Sequence, residues 1–235
     1  MPNSPAYQKV ILCLANSRKP GGRCVAGKEF ANGAAGAWIR PINIQNHNSI
    51  SEEDLHYGDG TSADVLDIIS IPMISATPQA HQRENHVIDP NYYWTKQGRA
   101  TWAQIVAATD ANQGTLWTNG DSSYHGHNDK VAEALANTLT SSLKLIAPTR
   151  MELHVGFESM YGGGAKRKVR ADFDFNHVRY NFVVTDPHIE DEYFAGQDGT
   201  YPVANSRLCV SLAEAINGLA IKLVATVLTP DRADQ

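Results

Sequence analysis

Cysteine is scarce in this chain. Its 235 residues hold three, Cys13, Cys24 and Cys209, with no CxxC spacing. That count excludes a disulfide framework and a cysteine-based zinc site, and it points to buried structural thiols in a reducing compartment. No apolar run approaches the ~20 residues of a membrane span. The opening segment MPNSPAYQK has no basic region leading into an apolar one, so no signal peptide is expected and the cytoplasm is the expected location. Positive charge is not in excess: the net charge is −5 and the isoelectric point about 6.0. A polycation coating duplex DNA is thereby excluded, and any nucleic-acid contact has to be local. Also missing are GxSxG, HExxH, a kinase set, and a P-loop, which requires GxxxxGK[ST]. Without a complete catalytic constellation, whether the protein is an enzyme stays open, and no cofactor is expected.

What is present is β pattern. Hydrophobic content of 42% and charged content of 19% are those of a globular protein. The length allows one large or two small domains. An apolar run at 9–15 reads as a buried strand, followed by strands at 24–30 and 37–42, separated by KPGG and NGAAG turns. Residues 63–72 read as a strand stopped by Pro72. Ser51 and Asp54 fit a capping pattern, and 101–108 fits a short helix. NDKVAEALANTL, 128–139, has the spacing of a helix capped by Asn128, and AEAINGLA that of a helical turn closed by Gly218. The clearest alternation is KVRADFDFNHVRYNFVV. It predicts a hairpin turning at Asn176–His177, with Val169, Ala171, Phe173 and Phe175 inward and Lys168, Arg170, Asp172 and Asp174 on a wet face. Tyr180 and Phe182 join the inward row. Strands are also expected at 151–158, 207–212 and 221–228. The pattern is two β-rich halves around a mixed middle, an α+β chain that is mainly β.

Several residues carry possible chemistry. LANSRKPGGRC, 14–24, sets Arg18, Lys19 and Arg23 around a Pro-Gly-Gly turn. It reads either as a solvated hairpin tip or as a phosphate cradle, since glycines admit backbone N–H groups and cations supply charge. Trp38 and Arg40 share one strand face and suit a base and a phosphate; the other reading packs Trp38 in the core and pairs Arg40 with a carboxylate. AKRKVR, 165–170, interleaves cations near aromatics. His125 and His127, with Asp121 and Asp129, are too incomplete a set for a zinc site, so no metal is expected.

Four blocks, ILCLANSRKPGGRCVAGKE, GAWIRPI, FNHVRYNFVVTDP and LCVSLAEAINGLAIKLVATVL, resemble the bacterial dual-OB domain family. The first is the most specific, carrying Asn16, Ser17, Arg18, Lys19, Gly22, Arg23 and Gly27, with Trp38, Arg40 and Pro41 following. Where the family has an aromatic before Lys222, this chain has Ile221. The resemblance implies two OB-like barrels in tandem. The first spans 1–110 with a loop and helical insertion; the second spans 111–235 with a preceding helix; one compact unit is the other arrangement. It further implies that Asn16, Ser17, Arg18, Lys19, Arg23, Trp38, Arg40, Tyr180, Asp186 and Lys222 gather at one site. Arginines 18, 23 and 40 with Lys19 would hold phosphate, Trp38 or Tyr180 would stack, and Asp186 would orient a donor. The expected ligand is a nucleotide or single-stranded nucleic acid, bound by a sensor or specificity module of phage defence. The alternatives are an enzyme acting on such a substrate and a protein-interaction module.

Overall fold

The computed structural model describes residues 5–111, 114–160 and 162–234. The chain forms two units, one of residues 1–108 with 231–235, the other of residues 109–230.

The first unit is a barrel built from β1 (Tyr7–Lys19), β2 (Gly22–Ala31), β3 (Ala34–Ile42), β4 (Asp67–Ala76) and β5 (Asn85–Ile88). The strand order is β1-β2-β3-β5-β4, and β4 pairs back onto β1. One long bent strand makes this closure possible. Tyr7–Leu12 of β1 pair with β4, Ile11–Lys19 pair with β2, and a bulge between Cys13 and Ala15 turns the chain from one neighbour to the other. β3 and β5 run parallel. β6 (Thr95–Arg99) extends β4, and α1 (Trp102–Ala107) follows. Ile11, Val25, Ile39, Ile69, Ile71 and Met73 point inward and form the core with Trp94. The short helix expected at 101–108 is α1, and Thr101 and Gln104 form a capping box at its start.

The second unit repeats the connectivity. It comprises β7 (Lys130–Ala132), α2 (Glu133–Ala136), β8 (Leu143–Ile146), β9 (Arg150–Ser159), β10 (Ala165–Phe175), β11 (Val178–Val184), α3 (Pro187–Phe194), β12 (Gly199–Pro202), β13 (Arg207–Leu212) and β14 (Leu219–Leu228). β9, β10 and β11 form a meander, β11 runs parallel to β14, and β14 pairs with β13. Here the long first strand is cut at Pro148: β8 pairs with β13, and β9 with β10. A proline lacks the N–H that a continuous ladder needs, so the bend falls there. Phe173, Tyr180 and Phe182 pack at 5.2–5.4 Å between ring centres in this core, as the alternation predicts.

Four local expectations are corrected. Residues 128–139 are not one helix. Asn128 has φ +53° and caps nothing helical; β7 pairs with β14, and only Glu133–Ala136 is helical. Ladder bonds to β14 outweigh a helical pattern of modest propensity. AEAINGLA is a turn: Asn217 and Gly218 both have positive φ, and Ile216 and Leu219 exchange backbone bonds. Asn-Gly is the preferred pair for such a hairpin. β4 runs through Pro72, whose carbonyl accepts from the Asp89 N–H at 2.9 Å. Finally, the face expected to be wet is partly buried: Asp172 is 1% exposed and Arg170 9%.

Candidate nucleic-acid interface

The β1–β2 hairpin tip is tightly built. Arg18 opposes Arg23 and Lys19 opposes Gly22, leaving Pro20 and Gly21 to turn. Gly21 has φ +83°, as the third position of a type II turn after proline requires. The neighbouring 43–50 loop pins the tip. Asn46 Nδ2 donates to Gly21 O and Ser49 Oγ to Pro20 O, both at 3.0 Å. Arg23 and Ile50 exchange backbone bonds of 2.7 and 2.9 Å. Gly22 is required for that contact, because a Cβ there would sit 2.2 Å from Ile50 O, with φ at +151°. Gly22→Ala is therefore expected to destabilise the unit by about 2–4 kcal/mol through strain and lost pairing. Urea unfolding measures this, and an unchanged midpoint would contradict the packing described.

The cations on this tip differ in engagement. Arg18 is exposed. Lys19 is half-buried, with Nζ 3.4 Å from Asn48 O. Arg23 Nε donates to Glu52 Oε1 at 2.7 Å, and Glu52 is 65% exposed. A water-facing pair of that kind contributes little, so the guanidinium can exchange it for a phosphate.

Beneath the tip lies a buried polar layer. Ser17 Oγ donates to Cys24 O at 3.4 Å, and Arg40 Nη1 lies 3.1 Å from Cys24 Sγ. Arg40 is 5% exposed, with Nη2 3.5 Å from Glu84 Oε1. Asn16 Nδ2 donates to Ala63 O at 3.1 Å. Trp38 is half-buried with Lys28 Nζ 5.4 Å from its ring centre, and Lys28 donates to Ala108 O at the end of α1. These side chains support the hairpin from below, whereas Arg18, Lys19 and Arg23 meet solvent.

Tyr180, Asp186 and Lys222 belong to the second unit. Lys222 is fully buried, and its Nζ donates to Thr118 O at 2.6 Å and Asn119 Oδ1 at 3.2 Å. Burial pulls its ammonium down to about 8, against the opposing influence of Asp129 and Asp121. Tyr180 is also fully buried, and its hydroxyl accepts from Leu116 N and Asn119 Nδ2 at 3.1 and 3.2 Å. Asn119 thus joins Tyr180 to Lys222. Asp186 caps α3 through His188 N at 3.1 Å and accepts from Val227 N at 3.1 Å. His125 Nε2 lies 3.2 Å from Ser159 Oγ, and the Asp129 carboxylate accepts from Ser123.

Alternation places Arg170, Asp172 and Asp174 on the outer face of β9–β11, but their partners emerge only in the structure. Arg150 bridges Asp172 at 2.5 Å and Asp174 at 2.9 Å, Arg179 holds Asp172 at 2.8 Å, and Arg170 pairs with Glu158. The period-two spacing of these charges was the available signal. At the turn end of the β9–β10 hairpin, Phe157 is 67% exposed and Lys166 is exposed.

Two barrels, one with a bent first strand and the other with that strand cut in two at a proline, each with a three-strand meander and a parallel closure, define a double OB protein. The model of the dual OB-containing domain matches residues 9–227, and the chain belongs to that family. No curated protein and no solved structure matches it. Among the described residues no helix is long and apolar enough to cross a membrane.

Proposed function

We propose that the protein binds a nucleotide or single-stranded nucleic acid through the β1–β2 hairpin. One observation carries this reading. The loop between the first two strands, a position OB barrels use for oligonucleotides, carries Arg18, Lys19 and Arg23 on a tip fixed by Asn46, Ser49 and Ile50. A fixed tip loses little conformational freedom on binding, so its cations act at lower entropic cost. Ser17 and Arg40 serve as its buried support beside the half-buried Asn16, and Tyr180, Lys222 and Asp186 act within the second unit. The family resemblance suggests phage defence as the setting and a sensor or specificity role for such binding.

Binding of a labelled oligothymidylate should weaken with salt. Arg18→Ala is expected to lower the log–log salt slope by about 0.7, the value of one single-strand phosphate contact. Fluorescence anisotropy across salt concentrations measures it. A variant binding with the wild-type slope and affinity would remove the hairpin from the interface.

A further inference from the structure

A second feature lies at the same end of the first barrel. The 43–54 loop and the segment after β5 enclose a cavity of about 410 Å³ lined by Asn43, Glu53, Asp54, Tyr92, Tyr93 and Trp94 among others. None of its lining residues is Lys, Arg or His, so it is unsuited to a phosphate. Trp94 is buried, but Tyr93 is 66% exposed, a large amount for an aromatic ring. Asp54 is held in place: its Oδ2 accepts from Asn43 Nδ2 at 3.0 Å and from Ser51 N at 2.9 Å. Its Oδ1 and the exposed Glu53 carboxylate supply further acceptors.

Stacking rings beside fixed acceptors and side-chain amides fit a nucleobase. We infer that this cavity is a base pocket, and that its preferred occupant is guanine. Guanine presents adjacent N1–H and N2–H₂ donors to carboxylates. Thymine and uracil flank a single N–H with two carbonyls, which carboxylates repel, while cytosine and adenine offer one amino group each. The inference rests on the hairpin reading for its phosphate. The same loop serves both sites, since Asn43 lines the cavity and Asn46 holds Gly21. A single 3₁₀ turn, Ile44–Asn46, follows Asn43, and three residues at about 2 Å rise span about 6 Å.

The test uses four labelled pentathymidylates whose central base is dG, dA, dC or dT, together with free guanosine, which has no phosphate. Wild type should favour the dG oligonucleotide by about tenfold over dT, as one stacked and hydrogen-bonded base allows. Tyr93→Ala, at an exposed position that should leave folding intact, should erase that preference and abolish guanosine-dependent shifts in the NMR spectrum. Glu53→Gln should reduce the preference without changing dT binding. Arg18→Ala should weaken all four oligonucleotides alike and leave guanosine binding unchanged. Equal affinity for the four bases and no guanosine binding, with the Arg18 effect retained, overturns the base pocket alone. Guanosine binding with no Arg18 effect overturns the hairpin alone. Competition by spermidine in place of guanosine at Tyr93 would identify a pocket for an organic cation and overturn the inference.

Discussion

Lys222→Ala is expected to destabilise the second unit by about 3–5 kcal/mol, the cost typical of removing one partner from a buried ionic network. Three effects add. Thr118 O and Asn119 Oδ1 lose their donor, the Asp129 side loses a neighbouring cation, and truncation leaves a void against Tyr180 and Phe182. Losing the lysine also leaves Asn119, which donates to the Tyr180 hydroxyl, less firmly held. The pH dependence has a definite sign. The folded ammonium titrates near 8, below its ordinary value of 10.5. Between those values the unfolded chain binds more protons than the folded one, so stability rises with pH. The gap between wild type and Lys222→Ala should therefore widen from pH 8 toward 10.5, by at most about 2–3 kcal/mol. Urea titrations of both proteins across that range measure it. A gap that stays level or closes would show that Asp129 and Asp121, rather than burial, govern the lysine.

Asp172→Asn is expected to cost about 2–4 kcal/mol at pH 7, somewhat below the full cost of a broken buried pair because Arg179 can reach water. Asp172 is nearly inaccessible, and it accepts from Arg150, from Arg179 through three contacts, and from Asn181. Burial pushes its carboxyl upward, but the Arg179 and Arg150 guanidiniums outweigh it and hold the group below the usual carboxylate value. Its contribution is thus present above the unfolded value near 4 and is lost as pH falls through the lower folded value. Wild type should lose stability on acidification below about pH 4, and Asp172→Asn should lose less. Calorimetry at stepped pH checks this. Equal acid sensitivity in both proteins would assign the effect to other carboxylates.

Legibility differed between fold and site for a physical reason. Strands with one buried face write their burial into a period of two, and β9 and the β10–β11 hairpin were readable from that, whereas Arg207–Leu212, buried almost throughout, was readable as a short apolar run. The Asn176–His177 turn was readable because two successive left-handed residues leave few choices. Residues 128–139 misled because Val131, Ala134 and Leu135 have helical spacing while β14 supplies a ladder partner from nearly ninety residues away. The wet-face expectation failed similarly. Alternation tells which residues share a face, but not whether a loop or a neighbouring strand covers it.

The ten candidate residues show the same division. Arg18, Lys19 and Arg23 were identifiable together because they lie within six positions on one tight turn. That Arg40 would be turned to Glu84, that Lys222 and Tyr180 would meet through Asn119, and that Asp186 would cap α3 were not, because each contact joins distant segments.

The sequence by itself determined the β class, the inward row of the β10–β11 hairpin and the glycine-dependent hairpin with its cations, since these follow from local sterics and from burial at fixed period. Tertiary structure alone decided which charges reach water. Burial depends on what packs above a strand, so Arg18 was left exposed, Arg40 and Lys222 were enclosed, and the Tyr93 cavity was assembled from two loops that the sequence keeps forty residues apart.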